Sequence, residues 1–143
     1  MPYRFLEETA TADIAFEAKG ETLEELFVAA AEATTNTMIL ELSQLARKEK
    51  RDIRIESKLI DLLLFDFLQE IVFYKDADLL LFGQYSVKID PGESRFRLQA
   101  EAYGEPLDPA RHDLVVDVKA VTLHQFEIKE TSQGWKARVV LDI

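Results

Sequence analysis

Cysteine is absent from the 143 residues. That excludes disulfides, thiolate metal ligands and cysteine nucleophiles, and it suits a reducing cytoplasm, where the protein is expected to reside. Glycine is sparse. The five residues are scattered, with Gly83 and Gly92 the closest pair, so no glycine-rich loop can cradle a phosphate. No Gly-x-Ser-x-Gly turn presents a serine nucleophile. Long apolar runs are missing too. The longest, Leu59 to Tyr74, is broken by Asp61, Asp66, Gln69 and Glu70, which excludes a membrane span. The start, Met1-Pro2-Tyr3-Arg4-Phe5, lacks the basic-then-apolar pattern of a signal peptide. Positive charge is in the minority: 17 Lys and Arg stand against 27 Asp and Glu, a net −10. That field repels phosphate backbones, so direct nucleic-acid binding by the free protein is not expected, although a small local basic patch stays compatible.

What is present is a foldable core. A hydrophobic content of 48% suffices for a single domain over residues 1–143. From Ala12 to Ala18 the pattern alternates, with Ile14, Phe16 and Ala18 on one side, which reads as a half-buried strand. Thr22 and Glu25 form a capping box for a helix reaching about Met38. Arg51 to Glu56 reads as a short strand. Ser57 can cap a second helix reaching about Tyr74, apolar almost all round and so expected to be the more buried of the two. Strands follow at about 79–89, 95–102, 114–129 and 135–143. The order β-α-β-α-β-β-β-β predicts an α+β fold, two helices packed on one mainly antiparallel sheet.

The last hairpin allows its register to be argued. Pairing Glu130 with Trp135 sets Glu127 opposite Arg138 outside the core, because opposed residues share a face. Asp142 then points off the core, as do Asp117 and Asp13 on their own strands. If the first and last strands meet, Asp13, Asp142 and the terminal carboxylate of Ile143 could form an all-oxygen site. Such donors suit calcium, magnesium or manganese. His112 falls in a loop and His124 on a strand, and both read first as hydrogen-bonded structure. The acidic pairs Glu7-Glu8 and Glu24-Glu25 come with no recognisable cleft.

Five ordered motifs carry a resemblance. They are Thr11-Ala12-Asp13-Ile14 with Gly20-x-Thr22-Leu23-Glu24-Glu25-Leu26-Phe27; the leucine-rich helix ending at Phe73-Tyr74; Gly104-Glu105-Pro106-Leu107-Asp108 with His112; Asp117-Val118-Lys119-Ala120-Val121-Thr122 with His124; and Val139-Val140-Leu141-Asp142-Ile143. Together they resemble the archease family over nearly the whole length. The resemblance implies a protein cofactor rather than an enzyme. It would act on the RtcB-type RNA ligase of tRNA splicing and RNA repair, promoting guanylylation and repeated turnover and broadening the nucleotides used. It implies a divalent-metal site at Asp13, Asp142 and the carboxylate of Ile143. Asp117, Lys119, His112 and His124 would support that site or touch the ligase; for Asp117 and Lys119 the alternative is an exposed cross-strand charge pair. Many family members have His where Ala10 stands.

Two other classes fit the composition. A general chaperone for nucleic-acid-processing proteins could shield basic clients with its acidic surface. A small metal-dependent hydrolase is the remaining alternative, but no base or nucleophile accompanies the acids.

Overall fold

A computed structural model describes residues 2–6 and 13–143. Ala10, Thr11 and Ala12 of the first motif, and the Glu7-Glu8 pair, lie outside the described residues. The chain runs β1 (Tyr3–Leu6), β2 (Asp13–Gly20), α1 (Leu23–Met38), a single 3-10 turn (Leu42–Gln44), β3 (Glu49–Ser57), α2 (Ile60–Asp78), β4 (Leu80–Asp90), β5 (Phe96–Pro106), β6 (Ala120–Thr131) and β7 (Gly134–Asp142). The α+β class and the order of the eight expected elements hold, and the short strand β1 is added in front.

All strand pairs are antiparallel, but they divide into two sheets instead of one. Four strands form the order β1-β2-β7-β6 and three form β3-β5-β4. The division falls where an irregular segment, 107–119, carries the chain from β5 in one sheet to β6 in the other. Its first part, to Asp113, is the expected loop, but 114–119 was expected to begin the long strand, which starts only at Ala120. Instead its backbone bonds to other partners: Val115 N–H donates to the Met38 carbonyl at 2.8 Å, and Leu40 N–H to the Asp113 carbonyl at 2.8 Å.

Both helices lie against the sheets, and the core fills the space between. In β2, Phe16 and Ala18 are fully buried; β7 answers with Ala137, Val139 and Leu141, and β5 with Leu98, Ala100 and Ala102. The more buried helix is α1, not α2. Its run of Ala29, Ala30, Ala31 and Ala33 permits close approach. The hydroxyls of Thr34 and Thr37 are satisfied by donating to carbonyls one turn earlier, both at 2.9 Å. In α2 the wide apolar surface exceeds what the core can cover, and Phe73 and Leu62 remain exposed. Thr22 caps α1 as expected, accepting from Glu25 N–H at 3.1 Å. Ser57 does not cap α2, which starts after Leu59; its hydroxyl accepts from Leu59 N–H instead. Among the described residues no helix is long and apolar enough to cross a membrane.

In β6 a single alternation fails. Glu127↔Arg138 and Glu130↔Trp135 pair as expected, but before the irregularity Val121 lies opposite Leu141. The register shifts between Thr122 and Glu127, with Gln125 at φ 52, and an odd offset exchanges the two faces. Val121 is therefore the buried residue there, where Ala120 had been expected.

The three-stranded sheet has one point of contact too tight for any side chain. A Cβ on Gly104 would overlap the backbone carbonyl of Leu81 and crowd Phe82. Gly104→Ala should therefore cost about 3 kcal/mol or more, as overpacking against backbone does. Ser86→Ala, on the exposed face of the same sheet, should stay within about 0.5 kcal/mol. Urea unfolding of the two variants checks this.

Candidate functional site

The pairing of β2 with β7 places Asp13 directly opposite Asp142. Leu141, beside Asp142, is fully buried in the core and Ile14 pairs with it across the strands, so the two aspartates lie together on the other face at the end of the sheet. On the other side of β7, Ala120 lies opposite Asp142. Lys119 N–H donates to the Asp142 carbonyl at 2.8 Å, and Ile143 packs its side chain against the core. The end of the chain is thus held from both flanks.

Both aspartates are half-buried, and neither has an ion-pair partner among the described residues. Like charges directly opposed across strands repel. Carboxylate oxygens in that arrangement have the chemistry for a hard divalent cation. Among the described residues no group of three or more His, Asp or Glu side chains is gathered for a metal.

Asp117 is placed elsewhere. It precedes β6 and bonds to Lys75 Nζ at 2.6 Å. Lys75 is 4% exposed, and its ammonium also reaches Asp76 at 2.5 Å and the Val118 carbonyl at 2.7 Å. Burial alone pulls this lysine down, but Asp117 and Asp76 beside it hold its pKa above the usual value. The expected alternative of an exposed cross-strand charge pair does not describe Asp117, which is committed to Lys75 of α2. Lys75 was legible in principle, because it continues the stripe Leu64, Leu68, Ile71 at helical spacing. It went unread because the helix was expected to end at Tyr74.

His112 is buried and belongs to a different cluster. Its Nδ1 accepts from Asp108 N–H at 2.9 Å, which leaves Nε2 facing Glu105 Oε1 at 3.6 Å. Glu105 is 1% exposed. It accepts from Ala46 N–H at 2.5 Å and from Arg111 at 2.6 Å. These groups pin the loop before β3 to the loop after β5, a structural task that agrees with the first reading of this histidine. His124 sits exposed in the β6 irregularity, where its N–H donates to Thr122 Oγ1 at 3.3 Å.

Comparison with known proteins matches residues 3–143 to the archease protein family. The chain is 38% identical over 134 residues to the archease of Pyrococcus abyssi, covering 93% of this chain and 94% of that one. It is 36% identical over 143 residues to the archease of Methanopyrus kandleri, with both chains fully covered. The solution structure of a Methanobacterium thermoautotrophicum protein superposes with a TM-score of 0.86 at 37% identity, covering 99% of each chain. A Thermotoga maritima crystal structure, described as an archease and possible chaperone, covers 96% of each chain with a TM-score of 0.59. At 16% identity it is similar in fold.

Glu105 offers a pH test of the loop cluster. The Ala46 N–H bond lowers its pKa below the ordinary 4.5; burial opposes this, and Arg111 and Lys48 reinforce the lowering. A lowered folded-state pKa means that its stabilisation is present above 4.5 and is lost as pH falls through the lower folded value. Glu105→Gln should therefore destabilise at neutral pH, and the gap from wild type should shrink in acid below that range. Thermal melting of both proteins across pH checks the direction.

Proposed function

This chain belongs to the archease family, and from that premise we propose that it acts as a protein cofactor of an RtcB-type RNA ligase. In this reading it promotes guanylylation of the ligase, sustains multiple turnover and broadens nucleotide use; it is not itself an enzyme. The observation that supports the reading is the Asp13–Asp142 pair, two carboxylates without an ion-pair partner among the described residues, set opposite each other by strands from opposite ends of the sequence.

Asp13, Asp142 and the α-carboxylate of Ile143 would hold a divalent cation, calcium, magnesium or manganese. Such an ion, when bound, supplies charge neutralisation of the kind phosphoryl transfer requires. The chain's own part is positioning. The β2–β7 register sets Asp13 opposite Asp142, and the Lys119 N–H holds the Asp142 main chain. Asp117 lends indirect support through Lys75 and the segment leading to Lys119. Lys119 itself is exposed beside the pair in sequence and is available to touch the ligase.

Asp13→Ala or Asp142→Ala should abolish activation of the cognate ligase in a multiple-turnover assay. The fold should melt within about 1 kcal/mol of wild type, since one like-charge opposition is removed. A variant that unfolds early and loses activity in proportion would make the pair structural. Suppressed aggregation of unrelated proteins would favour the chaperone alternative.

The role of Ile143 separates cleanly. A C-terminal glycine extension turns its carboxylate into a neutral carbonyl, whereas Ile143→Val keeps it. The extension should weaken metal binding, measured by calorimetry, and ligase activation together. Ile143→Val should leave both near wild type. Normal binding by the extended protein would remove Ile143 from the site.

A further inference from the structure

The outer face of the β1-β2-β7-β6 sheet carries a second row of like charge, remote from Asp13 and Asp142. At the opposite end of the strands Lys19 lies directly opposite Lys136, and Lys136 directly opposite Lys129. Three adjacent strands thus set three ammonium groups side by side. Two residues along, the next row reads Arg4, Glu17, Arg138 and Glu127. Glu17 is shared by Arg4 at 3.4 Å and Lys136 at 3.2 Å, and Glu127 meets Lys129 at 3.5 Å. Arg138 donates to Gln125 at 2.8 Å. Five cations therefore share two carboxylates, on a chain whose net charge is −10.

Such a row is costly by itself, because like charges directly opposed on neighbouring strands destabilise a sheet. Packing does not demand it: Lys19 and Lys129 are exposed, and Lys136 is only half-buried. An anionic ligand would relieve the repulsion.

We propose that this lysine row is a contact site for the phosphate backbone of single-stranded nucleic acid. Neighbouring strands lie about 4.8 Å apart, so the row spans about 10 Å, and flexible lysine stems can spread its ammonium groups over adjacent phosphates. Neither charged row contains an apolar side chain. A protein partner needs an apolar anchor at the centre of its interface, whereas nucleic-acid interfaces are polar and positively charged. At the β6–β7 turn Lys19 and Lys136 line a cleft with Ser132 and Gln133, so polar groups adjoin the cations; Trp135 also lines it but is packed against the core, so the contact is to the backbone and not by base stacking. Glu21 and Glu25 line that cleft as well, which confines the phosphates to the row itself.

The net charge opposes a long polyanion, so the contact is short and sensitive to salt; screening over about 8 Å at physiological ionic strength lets the local row act apart from the distant acids. The inference does not depend on the ligase reading.

Amide NMR at low salt, with single-stranded RNA of about ten nucleotides, tests it. Saturable shifts should concentrate at Lys19, Lys129, Lys136 and the β6–β7 turn. The combined Lys19→Gln, Lys129→Gln, Lys136→Gln variant should lose these shifts. It should flatten the slope of log affinity against log salt by about 2, the value for three phosphate contacts to a single strand. Its melting temperature should stay near that of wild type, because relief of the like-charge row offsets the loss of the Lys136–Glu17 and Lys129–Glu127 pairs. Shifts centred instead on Arg54 and Lys88 of the other sheet, the absence of saturable shifts in wild type, or unchanged binding by the variant would each overturn the assignment. Tighter binding of an acidic peptide on the same face would overturn it too, by making the row a protein surface.

Discussion

The antiparallel register between β2 and β7 is the constraint on which the rest of the molecule depends. It sets Phe16 opposite Val139 and Ala18 opposite Ala137, all four fully or nearly fully buried. Fully burying a phenylalanine or valine is worth about 1.5–3 kcal/mol. A slip by one residue would turn that set to solvent and bring Glu17 and Arg138 inward, so the register is strongly specified. The carboxylates at Asp13 and Asp142 are carried by the same register. Their mutual repulsion is small beside the burial that enforces their meeting.

The outer face of that sheet is consequently divided by charge. Acids stand at one end and lysines at the other, with Ala15 and Val140 buried between them. Neither end could relax by shifting one strand, since each row is tied to the same core. Charge on this face follows from packing on the reverse face, and this is how a fold can keep two locally unfavourable rows.

Much of this was legible because period two is a direct report of burial. The alternation through Phe16 and Ala18, and through Leu98, Ala100 and Ala102, predicted buried faces that the structure keeps, although Ala15 on the other side of β2 is buried as well. The Glu127–Arg138 opposition followed from the short turn alone. What stayed hidden depends on partners distant in sequence. Nothing local at 123–125 announces an irregularity that exchanges the faces of β6. Nothing local in Lys75 names Asp117, and nothing in Ala46 names Glu105. The division into two sheets likewise follows from where the segment 107–119 finds its hydrogen bonds. The greater burial of α1 follows from small residues that a hydrophobicity pattern undervalues. At the candidate site, the direction of Asp13 and Asp142 could be argued from alternation, but their direct opposition required the register of two strands at opposite ends of the chain.

The irregular segment 107–119 also bears on how the molecule breathes. Its backbone is fastened at intervals to parts of the chain that belong to no common strand: Leu107 N–H to the Leu79 carbonyl, Val115 N–H to Met38, and Lys119 N–H to Asp142. Lys75 grips it again through Asp117 and Val118. Val118, buried and held by Lys75, directly precedes Lys119, whose N–H holds Asp142, so these two ties are adjacent along the segment. Cooperative units of this kind exchange their amide hydrogens together. One strap of backbone therefore ties the end of β7 to α2 and to the end of α1.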